Sequence, residues 1–162
     1  MKYFIGLVLF VVLCFQPSYA KSELPYNCNE YSNVEEKNFV LFNKKQFIEL
    51  GECAGEALVK AKKVYNIAAA CSEVIEDKNS LLGIFSLSKV EAIKMGVCIG
   101  AINAVYTRYD RELVLVNSRY RSTKRYYSCK KGLLAVNELV ASATDEYYKR
   151  SELRDILCDQ VY

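Results

Sequence analysis

The chain has 162 residues, with 22 Lys and Arg against 19 Asp and Glu, 7 Cys, 13 Tyr, only 7 Gly and 2 Pro, and neither His nor Trp. Apolar residues make up 52% and the net charge is +3, a balance that excludes a disordered chain and a general nucleic-acid binder. The lack of His removes the Ser-His and Cys-His nucleophile pairs, His-ligated catalytic zinc, His-ligated haem and the usual sensor of mildly acidic pH.

The first twenty residues read as a secretory signal peptide. Lys2 supplies the positive start, Tyr3–Phe15 the apolar run, and Ser18 and Ala20 the small residues expected before a cut after Ala20. Cys14 follows Leu13, which is not the small residue a lipoprotein site needs before its cysteine. No other stretch reaches the run of roughly 20 apolar residues that a membrane span needs, so no membrane association is expected after cleavage. The remaining chain, Lys21–Tyr162, suits one domain, and a chain of this size buries roughly 68–70% of its unfolded surface. No cofactor or metal is expected.

Residues 21–43 form a polar N-terminal arm with Pro25, Asn27, Asn29 and Asn33. Cys28 could tie it down, and Phe39-Val40-Leu41-Phe42 could dock on a core. Residues 44–162 are expected to be a helical domain. Asn43 can cap a helix from Lys44 that carries Phe47, Leu50, Ala54, Ala57, Leu58, Ala61, Val64, Tyr65, Ala68 and Cys71 at spacings of three and four. This pattern predicts one helix to Asp77, with Gly51 and Gly55 as the points where it would break.

Ser88-Lys-Val-Glu91 is a capping box that opens a helix to about Glu112. Asn103 is its one strongly polar residue between Met95 and Tyr106, and the helix should be central, with Asn103 in a core hydrogen-bond network. Gly96 and Gly100, four apart, permit close approach of a neighbour. Leu113–Val116 fits either a helical extension or a short strand, and Val116–Ser128 reads as a loop. Lys131–Tyr148 is helical again, and Ser151 caps a last helix through Val161. The expected fold class is therefore all-α, a single domain of four or five helices stapled by disulfides.

Six cysteines remain after Cys14 leaves with the signal peptide: Cys28, Cys53, Cys71, Cys98, Cys129 and Cys158. An even count in an exported chain reads as three disulfides, with buried free thiols as the alternative. No CxxC occurs, and the wide gaps match no zinc ribbon. Of the fifteen pairings, Cys53–Cys71 is excluded if both lie on one helix, since 18 residues span roughly 27 Å. Cys71–Cys98 is favoured, because an antiparallel helix hairpin would hold them at similar heights. The lack of any Asn-x-Ser/Thr site tilts towards a periplasmic protein over a secreted glycoprotein.

Charge concentrates in one stretch. Arg119, Arg121, Lys124, Arg125, Lys130 and Lys131 surround Tyr120, Tyr126 and Tyr127, with no acid between Glu112 and Glu138. Arg and Tyr are favoured at interface hot spots, so Arg119, Tyr120, Arg121, Lys124, Arg125, Tyr126 and Tyr127 are the candidate partner-binding residues, a protruding loop that meets an acidic protein surface. A solvated connector explains the same composition. Single-stranded nucleic acid also suits a basic and aromatic run, but this one is short and the chain is exported. Glu49, Glu52 and Glu56 on one helical face, and Glu73, Glu76 and Asp77 at a helix end, read as solvated faces rather than opposed catalytic carboxyls.

The cysteine contexts Ala68-Ala-Ala-Cys71, Gly96-Val-Cys98-Ile-Gly-Ala-Ile-Asn-Ala-Val105, Cys129-Lys-Lys-Gly-Leu-Leu and Leu153-Arg-Asp-Ile-Leu-Cys158 resemble the small periplasmic immunity proteins of type VI secretion amidase effectors. In that family a Cys-Leu-Gly-Tyr-Ile-x-Gly-Val-like helix motif is similar to Cys98-Ile-Gly-Ala-Ile-Asn-Ala-Val105. The resemblance spans residues 64–158. It implies a helical, often homodimeric, non-catalytic protein that puts a loop in or over the active site of a peptidoglycan-cleaving toxin. Two other readings stay open: a secreted carrier with a closed apolar cavity between its helices, and a hydrolase using two carboxyls from different helices.

Overall fold

The computed structural model describes residues 28, 40–79, 87–117, 122–144 and 146–162. The expected signal peptide and most of the expected arm lie outside this set. The elements in order are α1 (Lys44–Lys60), β1 (Val64–Tyr65), α2 (Ile67–Asn79), α3 (Lys89–Tyr109), β2 (Leu113–Asn117), β3 (Ser122–Cys129), α4 (Gly132–Ser142), β4 (Tyr147–Tyr148), α5 (Arg150–Leu157) and β5 (Cys158–Val161). The all-α expectation is wrong. Five strands form two antiparallel sheets, one of β1 and β4 and one in the order β2-β3-β5.

α3 is the axis of the molecule. Ser88 opens it: Glu91 N donates to Ser88 Oγ at 3.2 Å, and Ser88 N donates to Glu91 Oε2 at 2.6 Å. Asn43 and Gln46 make the same reciprocal pair before α1. Ala92 and Met95 of α3 pack with Phe47, Ile48 and Leu87 at one end. Cys98, Ala101, Ile102, Val105 and Tyr109 join Val59, Ile67, Leu139, Leu153 and Leu157 in the main core. By length and mean hydropathy α3 also qualifies as a membrane span, which corrects the reading that no stretch after the leader reaches that length. Its buried residues, disulfide and glycine contacts make it a core helix here.

α1 and α3 touch backbone to backbone. A Cβ on Gly51 would lie 2.2 Å from Ile93 O, and one on Gly55 2.2 Å from Val97 O. On the other side, a Cβ on Gly96 would lie 2.0 Å from Ile48 O and one on Gly100 2.0 Å from Glu52 O. α1 runs unbroken through Gly51 and Gly55, so these glycines are contact points and not breaks.

The helix expected to reach Asp77 ends at Lys60 instead. Lys62 N donates to Val59 O and Lys63 N to Leu58 O, the two bonds of a Schellman cap. Lys62 sits at φ 61, the position glycine usually takes, and a side chain there costs about 1–2 kcal/mol. Val64 and Tyr65 then pair with Tyr148 and Tyr147. Two further expectations shift. Lys131–Tyr148 is α4 followed by β4, and the last helix starts at Arg150, where Glu152 Oε2 accepts from Lys149 N at 2.7 Å in place of a Ser151 cap. Asn103 is exposed, not part of a core network. In the apolar run before α1, Phe42 stacks on Phe47 while Val40 and Leu41 stay exposed.

Three disulfides fasten these pieces: Cys28–Cys53 ties the arm to α1, Cys71–Cys98 joins α2 to α3, and Cys129–Cys158 joins β3 to β5. They are consistent with folding in an oxidising compartment. The premise used to exclude Cys53–Cys71 fails, since the two lie on different helices.

Candidate functional site: the three-stranded sheet

Leu113–Val116 takes the strand of its two expected forms, and much of Val116–Ser128, expected to be a loop, is strand as well. Leu113-Val-Leu-Val116 and Thr123–Tyr127 are rich in branched and aromatic side chains, which fit a pleated surface. Leu113 pairs with Tyr126, and Tyr126 pairs in turn with Val161 of β5. Leu115 pairs with Lys124. Because strand side chains alternate, these residues share one face.

That face is open. Leu113 is 48% exposed, Leu115 60%, Tyr126 45% and Val161 42%. Leu113, Tyr126 and Val161 make a continuous apolar row across all three strands, with Leu115 and Lys124 beside it. Lys124 is exposed and makes no ion pair among the described residues.

The opposite face carries the rest. Tyr127 is 6% exposed and meets Tyr109 edge to face, with ring centroids 6.2 Å apart. The Arg154 guanidinium covers both rings, 5.0 Å from Tyr127 and 5.5 Å from Tyr109, while Asp155 holds it at 2.7 Å. Arg125 lies over the Tyr162 ring at 4.5 Å, and its Nη2 donates to Tyr162 Oη. Lys130, just past the end of β3, is paired to Glu138 at 3.1 Å and lies 3.7 Å from Asp159, which shares the outer face with Val161.

The seven candidate partner residues therefore divide. Lys124 and Tyr126 face outward. Arg125 is tied to Tyr162, and Tyr127 is a core residue, so its place in a binding surface is corrected. Arg119, Tyr120 and Arg121 lie outside the described residues. Leu113, Leu115 and Val161 were missed as site residues: the unbroken apolar run Leu113-Val-Leu-Val116 signals a strand but not which of its faces is open.

Two cavities bear on the other readings. One of about 320 Å³ lies between α1 and α3, lined by Glu56, Lys60, Asn103, Thr107 and Arg108 among others. Glu56 is its one acid and is bound to Lys60 at 3.0 Å, so two opposed carboxyls do not meet there. The second, of about 410 Å³, is lined by four cations. Neither is the closed apolar chamber that a carrier needs.

Glu52 is the perturbed carboxylate of α1: burial, then the Glu49 charge, raises its pKa. A raised folded pKa favours the protonated form. The stability it contributes is full below the ordinary carboxylate range near ~4.3 and is lost as pH rises through the elevated value. Glu52→Gln is therefore expected to raise Tm at neutral pH, with the gain vanishing near pH ~4. Thermal denaturation of both chains at the two pH values measures this.

Comparison with family models, with curated proteins and with solved structures finds no match. The class of protein that the fold defines is a helix-rich α+β domain with three disulfides. The residues shared with the immunity-protein motif have local structural reasons, Cys98 in its disulfide and Gly100 in the contact with α1.

Proposed function

We propose that this chain is a non-catalytic, exported binding protein that docks the outer face of its β2-β3-β5 sheet on an acidic protein surface. The observation that carries the reading is the exposed Leu113–Tyr126–Val161 row flanked by Lys124, which makes no ion pair among the described residues. A monomer seldom leaves such a row open without use, and an apolar centre with a polar rim is the anatomy of an interface. The segment between Glu112 and Glu138 has bases and no acid, so an acidic partner complements it. The compartment proposed is the periplasm, which the leader and the disulfides support. The partner class proposed from the family resemblance is a peptidoglycan-cleaving amidase.

Tyr126→Glu is expected to weaken partner binding by roughly 30-fold or more, the scale of an interface hot spot, and to leave Tm nearly unchanged because Tyr126 is half exposed. Lys124→Ala is expected to slow association and flatten its salt dependence. Surface plasmon resonance against the partner, captured by co-expression with neighbouring gene products, reads both effects. Unchanged binding by Tyr126→Glu would remove the sheet face from the interface.

A further inference from the structure

We infer that the cavity between the end of α1 and the start of α5 is a second site, which binds a doubly charged oxyanion of the phosphate monoester or diphosphate type. It goes beyond the docking face, and none of its residues belongs to that sheet. The cavity of about 410 Å³ is walled by Lys62, Lys63, Lys149, Arg150, Ser151 and Tyr147, and no carboxylate lines it among the described residues. Among the described residues Lys62, Lys63 and Arg150 make no ion pair, and Lys149 has only a contact of 3.9 Å with Glu152. Arg150 also lines the neighbouring groove, where Lys60 is paired with Glu56 at 3.0 Å and Arg108 with Glu112 at 3.5 Å, so that groove adds no free charge. Four cations around one solvent-facing hollow, Lys62, Lys63 and Lys149 among them exposed, create a positive potential that an anion would complement.

Two further features fit the assignment. Lys62 holds the left-handed position of the α1 cap, where glycine would relieve the backbone, so the fold keeps a cation in the cavity wall at a conformational cost. Arg150 and Ser151 open α5, where the Glu152 and Leu153 amides donate to Lys149 O and Glu152 takes the Lys149 amide, so the side chains of Arg150 and Ser151 are what α5 offers the cavity. Arg150 offers a planar fork for two oxygens, Lys62 and Lys63 compact charges, and Ser151 a hydroxyl. A single carboxylate would leave most of this charge unbalanced, whereas a dianionic phosphate group balances it better. The volume exceeds one phosphate group and lies in the range of small-molecule sites, so the moiety that bears the phosphate fits beside Tyr147.

The test is isothermal titration of the full chain with inorganic pyrophosphate at constant ionic strength, with flotation on vesicles containing phosphatidic acid as the second arm. Saturable binding of pyrophosphate, weakened roughly tenfold by Arg150→Gln and by Lys62→Gly, is the expected result. Lys62→Gly should also raise Tm in the absence of anion, which separates loss of the site from loss of the fold. Binding to the vesicles alone, lost in the same variants, would support the site and identify a lipid headgroup as the source of the phosphate. No saturable binding in either arm at millimolar anion, or binding indifferent to both variants, would overturn the proposal. Tyr126→Glu should leave anion binding unchanged, so failure of the docking face and failure of this site read out separately.

Discussion

Gly100→Ala is expected to destabilise the protein by about 3 kcal/mol, although the same change at an exposed helix position stabilises by about 1 kcal/mol. The sign follows from the contact between α1 and α3. A Cβ on Gly100 would stand 2.0 Å from Glu52 O, with Glu52 C and Cα also inside 3 Å. These are backbone atoms, so no rotamer change relieves the overlap and the helices must move apart. That movement would also loosen the Gly55–Val97 contact one turn away and the adjacent packing of Val59 against Ala101 and Ile102. Urea denaturation of Gly100→Ala beside wild type measures the loss. A surface control, Lys78→Ala on α2, should change stability by less than about 0.5 kcal/mol. Equal or higher stability for Gly100→Ala would mean that the two helices are not in backbone contact.

Replacing Cys71 and Cys98 together by Ala is expected to cost about 3.5 kcal/mol through loop closure alone. The two cysteines are 27 residues apart in sequence, and their connection crosses the segment between α2 and α3. Both are fully buried in the main core beside Ile67 and Ile102, so lost packing adds to the entropic term. The other two bridges close loops of similar length, 25 and 29 residues. Cys129–Cys158 fastens β3 to β5, so its loss is expected to loosen the sheet face more than the helices. Chemical denaturation with near-ultraviolet circular dichroism separates the two cases: the Cys71/Cys98 variant should lose global stability, and the Cys129/Cys158 variant tyrosine signal from the Tyr109–Tyr127 region first.

The helices were legible where side-chain chemistry marks an end. Asn43 with Gln46 and Ser88 with Glu91 open α1 and α3 by hydrogen bonds that short-range spacing reveals. The break after Lys60 was not legible, because a Lys occupies the left-handed position that usually signals itself with glycine. Val64 and Tyr65 kept the helical spacing, and only their pairing with Tyr147 and Tyr148, more than 80 residues away, makes them a strand. The same holds for β3 and β5, whereas the apolar run Leu113–Val116 already fits a short strand. Val161 fell on the apolar stripe expected of the last helix, yet Cys158–Val161 is drawn into the sheet by the ladder with β3 and the bridge to Cys129.

Part of the candidate site was legible by composition and wrong in direction. The run from Lys124 to Tyr127 was read as one exposed surface, but a strand sends neighbours to opposite faces. Arg125 and Tyr127 turn inward, and Tyr126 and Lys124 outward. The apolar half of the site went unseen because Leu113 and Leu115 are common core residues, and their exposure follows from sheet order. The cation cavity draws Lys62 and Lys63 together with Lys149 and Arg150, which tertiary contact alone brings near each other.

The most direct measurement is photo-crosslinking from position 126. A benzoylphenylalanine replaces Tyr126 in one chain and Asn103, on the exposed side of α3, in another. Each is irradiated with the proposed partner, a peptidoglycan-cleaving enzyme, and inhibition of that enzyme by the wild-type chain is measured alongside. The account predicts a crosslink from position 126, none from position 103, and loss of both crosslink and inhibition when Leu115→Glu is added. A crosslink from position 103 alone, or inhibition that survives Leu115→Glu with Tyr126→Glu, would contradict it.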